Sequence, residues 1–225
     1  MKFFQSSLLF VFALLLSAVS LSAQSNHENA MMKKSGPTVI QLSQTEGQYE
    51  TKSLNLLPGK YIFEVTNIDV DKDLGFYLQD ADEAQVKRSG LKSLVGKGQT
   101  SRTGVVTLTE GSYNYSCPLN PTPHYTLNVG EPRVVQLNQI EGQYETSGLN
   151  LTAGYYIFEV SNLEVDKELG FYLQDGSEAQ VENSGLKELV GNGETSRTGV
   201  VFLAPGQYNY SCPLNPTPHY TLNVR

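Results

Sequence analysis

The chain has 225 residues, a net charge of −7, two cysteines, three histidines, thirteen tyrosines and no tryptophan. Mild acidity without clustered Lys and Arg argues against nucleic acid and anionic lipid as partners, because both need concentrated positive charge. About two hundred residues beyond an apolar N-terminal run are enough for two ordinary domains, each burying its own core.

In chain order, the first element is a processing signal. Lys2 precedes the apolar run Leu8 to Val19, and Leu21-Ser22-Ala23 places a small residue at the cleavage position. Residues 1–23 therefore read as a signal peptide, too short and weakly flanked for a membrane span. No second apolar stretch reaches spanning length. The expectation is a secreted or periplasmic protein, with residues 24–37 as a flexible polar leader. In that leader His27, Met31 and Met32 form a small cluster of soft donors, which reads as incidental.

Residues 38–129 and 133–224 align without a gap and are identical at about three quarters of positions. Ser116 to Val129 recurs unchanged as Ser211 to Val224. A repeat this long is a whole domain rather than a solenoid unit. The organisation expected is one domain over 38–129, a three-residue linker at 130–132, and a second domain over 133–225. The first copy is near neutral and the second clearly acidic.

Within the first copy, Val39 to Leu42 opens with a strand, and Tyr61 to Val65 follows the turn signal Pro58-Gly59. Leu74 to Leu78, Thr103 to Leu108, Tyr113 to Cys117 and Tyr125 to Val129 read as further strands. The spacing of Leu91, Leu94 and Val95 predicts a short helical excursion within 83–98. Short strands at regular spacing indicate an all-β fold, two tandem sandwiches.

Cys117 carries the main chemical interest. Tyr113, Tyr115 and Cys117 alternate with Asn114 and Ser116, so the thiol faces inward with two tyrosines. A Pro-rich loop leads on to His124. The Gly-x-Tyr-x-Tyr-x-Cys-Pro strand, the loop with His and the short last strand ending in Val resemble the cupredoxins, the blue copper proteins. Tyr61 to Asn67 also resembles the family strand that precedes its first ligand. The resemblance implies a Greek-key sandwich and a copper ion held by one thiolate and two imidazoles, with a weak axial thioether. It matches Cys117 and Cys212 to the thiolate, and His124 and His219 to one imidazole. The family's other histidine would fall near Asp73-Leu74 and Glu168-Leu169, where none stands, and no Met follows either Cys. Three readings of the cysteines stay open: a copper site of Cys and His completed by oxygen donors such as Asp73, an inert core residue, and pairing between molecules.

Other motifs carry less. Asp69-Val70-Asp71-Lys72-Asp73 has part of a calcium-loop spacing, but Leu74 replaces the glycine that the sharp turn requires. Arg102 and Arg197 read as structural cations that brace the strand start or pair with an acid retained in both copies, such as Asp80 or Asp175. Asn114, Asn150 and Asn209 lie in glycosylation sequons read as chance. No nucleophile elbow, zinc-protease motif or phosphate loop is present, so the expectation is that the chain is not an enzyme. The function expected is copper handling or electron transfer; the alternative is a metal-free structural or binding protein of the cell envelope, with a protein partner the sequence does not name.

Overall fold

The structure, a computed structural model, describes residues 36–225. The expected signal peptide and most of the leader, His27, Met31 and Met32 included, lie outside the described residues. In the first repeat the strands are β1 (Thr38–Thr45), β2 (Gln48–Tyr49), β3 (Ser53–Leu56), β4 (Gly59–Asn67), β5 (Tyr77–Gln79), β6 (Thr100–Arg102), β7 (Val106–Leu108), β8 (Gly111–Ser116) and β9 (Tyr125–Val129). The second repeat supplies the same nine in the same order: β10 (Arg133–Ile140), β11 (Gln143–Tyr144), β12 (Gly148–Leu151), β13 (Ala153–Asn162), β14 (Tyr172–Gln174), β15 (Thr195–Arg197), β16 (Val201–Leu203), β17 (Gly206–Ser211) and β18 (Tyr220–Val224).

Alternation of side chains explains why these segments are strands. Along β4, Tyr61, Phe63 and Val65 are buried while Ile62, Glu64 and Thr66 lie partly outside. One sheet of the first repeat runs β2-β1-β4, with β6 and β7 both antiparallel to β4. β1 lies parallel to β4, Thr38 facing Tyr61, as Arg133 faces Tyr156 in the second repeat. The other sheet runs β3-β9-β8-β5. Between them sit Phe63 stacked on Phe76 at 5.1 Å and Tyr49 edge-on to Tyr115 at 5.3 Å. Such contacts add about 0.5–1.5 kcal/mol each beyond the area they bury.

The helical excursion expected within 83–98 is not there; among the described residues there is no helix. Those residues form turns pinned by single bridges, Gln79 to Gln85, Leu74 to Val95 and Leu91 to Thr103. Only Val95 of the three spaced residues is buried, whereas Leu94 is 54% exposed. Left-handed backbone at Glu83, Arg88 and Gly98 interrupts any helical ladder, because successive helical residues all need negative φ.

Each arginine does pair with an acid present in both copies, though not with the Asp80 or Asp175 named as examples. Arg102 pairs with Glu64 and Arg197 with Glu159. Register decides this: β6 runs antiparallel to β4 with Glu64 directly opposite Arg102. Asp80 instead accepts from the N–H groups of Asp82 and Ala84 in its own turn.

The repeats are joined by more than the linker. β3 of the first pairs in parallel with β13 of the second, Leu54 facing Ala153 and Asn55 facing Gly154. One sheet of each repeat therefore continues into the other as nine strands. Asn55 Nδ2 donates to the Tyr155 carbonyl at 3.3 Å. Among the described residues the corresponding edge of the second repeat, β12, pairs only with β18, and its residues are exposed or half-buried where those of β3 are mostly buried.

Candidate metal centre

Cys117 follows β8 and is completely buried. Its carbonyl accepts from the N–H groups of Asn120 and Thr122, and its own N–H donates to Thr122 Oγ1 at 2.8 Å. These bonds hold the Pro118–Pro123 loop in a tight turn over the thiol. The Gly75 N–H donates to Cys117 Sγ at 3.3 Å. In the second repeat the Cys212 sulfur accepts two such bonds, from Gly170 and Asn215, each at 3.3 Å.

The polar group that the loop turns inward is Asn120, three residues after the cysteine and fully buried. Its Oδ1 accepts from the Gly47 N–H at 2.9 Å. Its Nδ2 donates to the Thr45 carbonyl at 2.9 Å and to Gln44 Oε1 at 3.3 Å. Gln44 Nε2 in turn donates to the Gly75 carbonyl at 3.1 Å. Asn215, Gln139 and Gly170 repeat the arrangement. Amide, glutamine and thiol thus form one buried chain in which each of these polar groups already has a partner, as a low-dielectric interior demands.

The phenols beside the thiol are kept neutral. Burial, then the neighbouring Cys117, Tyr115 and Tyr125, hold Tyr49 well above the ordinary phenol value. Burial does the same to Tyr144, helped by Cys212, and Tyr210 is pushed up to about 12. A folded-state value raised above 10 means stability is full below pH 10 and is lost as pH climbs through the folded value. Melting temperature should therefore stay level to about pH 10 and fall steeply between pH 10 and 12. A circular-dichroism melt at several alkaline pH values checks this; a level melting temperature to pH 12 would contradict it.

The other predicted residues differ from the thiol in burial. His124 and His219, just before β9 and β18, are exposed, and so are Asp73 and Glu168, which precede β5 and β14. Leu74 and Leu169, at the place expected for the family's other histidine, are fully buried hydrocarbon. Among the described residues no three His, Cys, Asp or Glu side chains gather closely enough to hold a metal ion. Around the thiol stand amide N–H groups, a phenol and a committed asparagine, which do not make the trigonal set that blue copper needs. Both cysteines are free and buried, which leaves no exposed sulfur for pairing between molecules. The acidic loop at 69–73 is organised from within: Asn67 Nδ2 donates to the carbonyls of Val70 and Lys72, and Asp71 pairs with Lys97.

Sequence reasoning missed Gln44, Asn67, Asn120 and their counterparts Gln139, Asn162 and Asn215. Their one sequence signal is retention in both copies, which they share with most of the repeat.

No family model matches the chain, and no curated protein does. Solved structures do. Auracyanin A, a blue copper protein of Chloroflexus aurantiacus, is 16% identical over 42% of this chain and 100% of its own, with a TM-score of 0.35. The blue copper oxidase of Nitrosomonas europaea is 12% identical over 84% of this chain and 86% of its own, at 0.34. A copper-containing nitrite reductase of Thermus scotoductus is 12% identical over 88% and 70%, at 0.32. These last two are enzymes, and the expectation that the chain is not an enzyme is withdrawn on chemical grounds. Redox chemistry is carried by a metal or cofactor and needs no nucleophile elbow or phosphate loop, so the lack of those motifs does not place a chain outside the enzymes. Among the described residues, no helix is long and apolar enough to cross a membrane. Cupredoxins and copper enzymes are thus among the solved structures similar to this chain, and the cupredoxins are the family whose Cys strand each repeat resembles.

Proposed function

We propose that this is an exported tandem protein of two cupredoxin-like Greek-key sandwiches, over 38–129 and 133–225, that serves the cell envelope as a binding or structural module. Cys117 and Cys212 act as core residues in it. The observation that supports this reading is the closed set of bonds around each thiol. Sγ is buried, Gly75 N–H or Gly170 N–H is aimed at it, and the nearby Asn120 or Asn215 is fully committed to other partners. A metal at Sγ would have to recruit an exposed histidine, because the buried amide beside the thiol is already bonded elsewhere.

Copper handling through Cys117, His124, Cys212 and His219 is the second reading. The two N–H donors on Cys212 Sγ favour it, because such bonds stabilise a thiolate and tune a metal bound to it. Metal analysis after loading with Cu(I) and with Cu(II), beside the absorption spectrum, separates the two. The expected result is far less than one copper per repeat, no intense blue band, and thiols that react with a thiol reagent only on unfolding. One copper per repeat, lost from its own repeat in Cys117→Ser or Cys212→Ser, would overturn the metal-free reading.

A further inference from the structure

The repeats are near copies, so a surface where they differ in chemical kind has been shaped separately in each. One such surface is an open groove of about 730 Å³ on the first repeat, with Val86, Val105 and the side of Tyr113 along it. Three cations line it, Lys60 from β4 and Lys87 and Arg88 from the turn region. All three are exposed, and among the described residues none of them forms an ion pair. The one carboxylate on the lining, Asp80, has an oxygen engaged by two backbone N–H groups of its own turn. Three cations against one carboxylate leave the lining with a net positive charge.

The second repeat carries the same backbone without the charge. Tyr155, Glu182 and Asn183 stand where Lys60, Lys87 and Arg88 do, and Phe202 replaces Thr107. Tyr155 and Phe202 close on each other at 4.9 Å. Backbone geometry sharpens the contrast. Arg88 has φ of 66° and Asn183 has 62°. Asn is among the few residues that tolerate this left-handed region, and Arg is not. The turn thus keeps its left-handed backbone in both repeats while its side chain changes from a cation to a neutral amide.

We propose that this groove binds a small multivalent anion, a molecule of metabolite size with two or more carboxylate or phosphate groups. Its volume lies in the range of small-molecule sites. The three cations would meet the anionic groups and the two valines its carbon skeleton. The proposal gives a ligand class to the binding role above and rests on that role. The groove shares no lining residue with the surroundings of Cys117. Copper bound stoichiometrically would therefore remove the metal-free reading while leaving this titration unchanged.

Calorimetric titration of the full chain with citrate and, separately, with pyrophosphate at low ionic strength tests it. One saturable site per chain is expected, weakened by added salt. Lys87→Glu with Arg88→Glu, and Lys60→Glu alone, should each weaken binding tenfold or more, with an unchanged circular-dichroism spectrum. Lys92→Glu, an exposed lysine off the groove, should leave it within twofold. Binding of citrate alone identifies a carboxylate ligand, and of pyrophosphate alone a phosphate ligand. No saturable binding of either, two equivalent sites per chain, or equal weakening by Lys92→Glu would overturn the proposal.

Discussion

Replacing Asn67 with Ala should cost about 3–4 kcal/mol of stability, and Asn162→Ala should cost a similar amount. Asn67 is fully buried at the end of β4. Its Nδ2 lies 3.0–3.1 Å from the carbonyls of Val70, Lys72 and Val95, and its Oδ1 accepts from the Val70 N–H at 2.9 Å. Alanine would strand the Val70 N–H and the Val70 and Lys72 carbonyls in the interior, the Val95 carbonyl keeping the Leu74 N–H, and each unsatisfied group costs about 1–3 kcal/mol before water re-enters. Asn67→Asp should be no milder, because a carboxylate would face three carbonyl oxygens. The effect reaches the thiol, since this loop leads into Leu74-Gly75, whose Gly75 N–H meets Cys117 Sγ. Denaturant midpoints check it. A loss below about 1 kcal/mol would show that the loop holds without the amide.

Gly154→Ala should separate the repeats. Gly154 has φ of +151°, and a Cβ there would lie 2.1 Å from the Asn55 carbonyl oxygen, an overlap that no rotamer relieves. The parallel pairing of β3 with β13 would have to open, with loss of the bond from Asn55 Nδ2 to Tyr155 O. The expected cost is about 2–4 kcal/mol, with one melting transition becoming two. Gly59→Ala, the same position in the first repeat, is the control. Its Cβ would meet only the Tyr61 ring, at 3.5 Å, an ordinary contact. Its effect should stay under about 1 kcal/mol. Scanning calorimetry of both variants decides. A single unshifted transition for Gly154→Ala would mean that the joined sheet adds nothing to stability.

Some of this was legible from residue order alone, because it depends on local period and on repetition. Strands with period two, such as Tyr61 to Val65, must bury one face, and the inward direction of Cys117 follows from Tyr113 and Tyr115 in the same strand. Repetition ensured that whatever the first copy formed, the second would form too. Other features required the tertiary structure, because they depend on partners far apart in the chain. Leu91, Leu94 and Val95 have helical spacing, yet distant strands recruit them one at a time, Leu91 to Thr103 and Val95 to Leu74. Asn120 looks like any loop asparagine until its amide meets Gln44 and Thr45, more than seventy residues earlier. Arg102 has several acids in reach by sequence, and only strand register selects Glu64. The thiol's direction was therefore written in its own strand, while its surroundings were decided by hydrogen bonds that close only when distant segments pack.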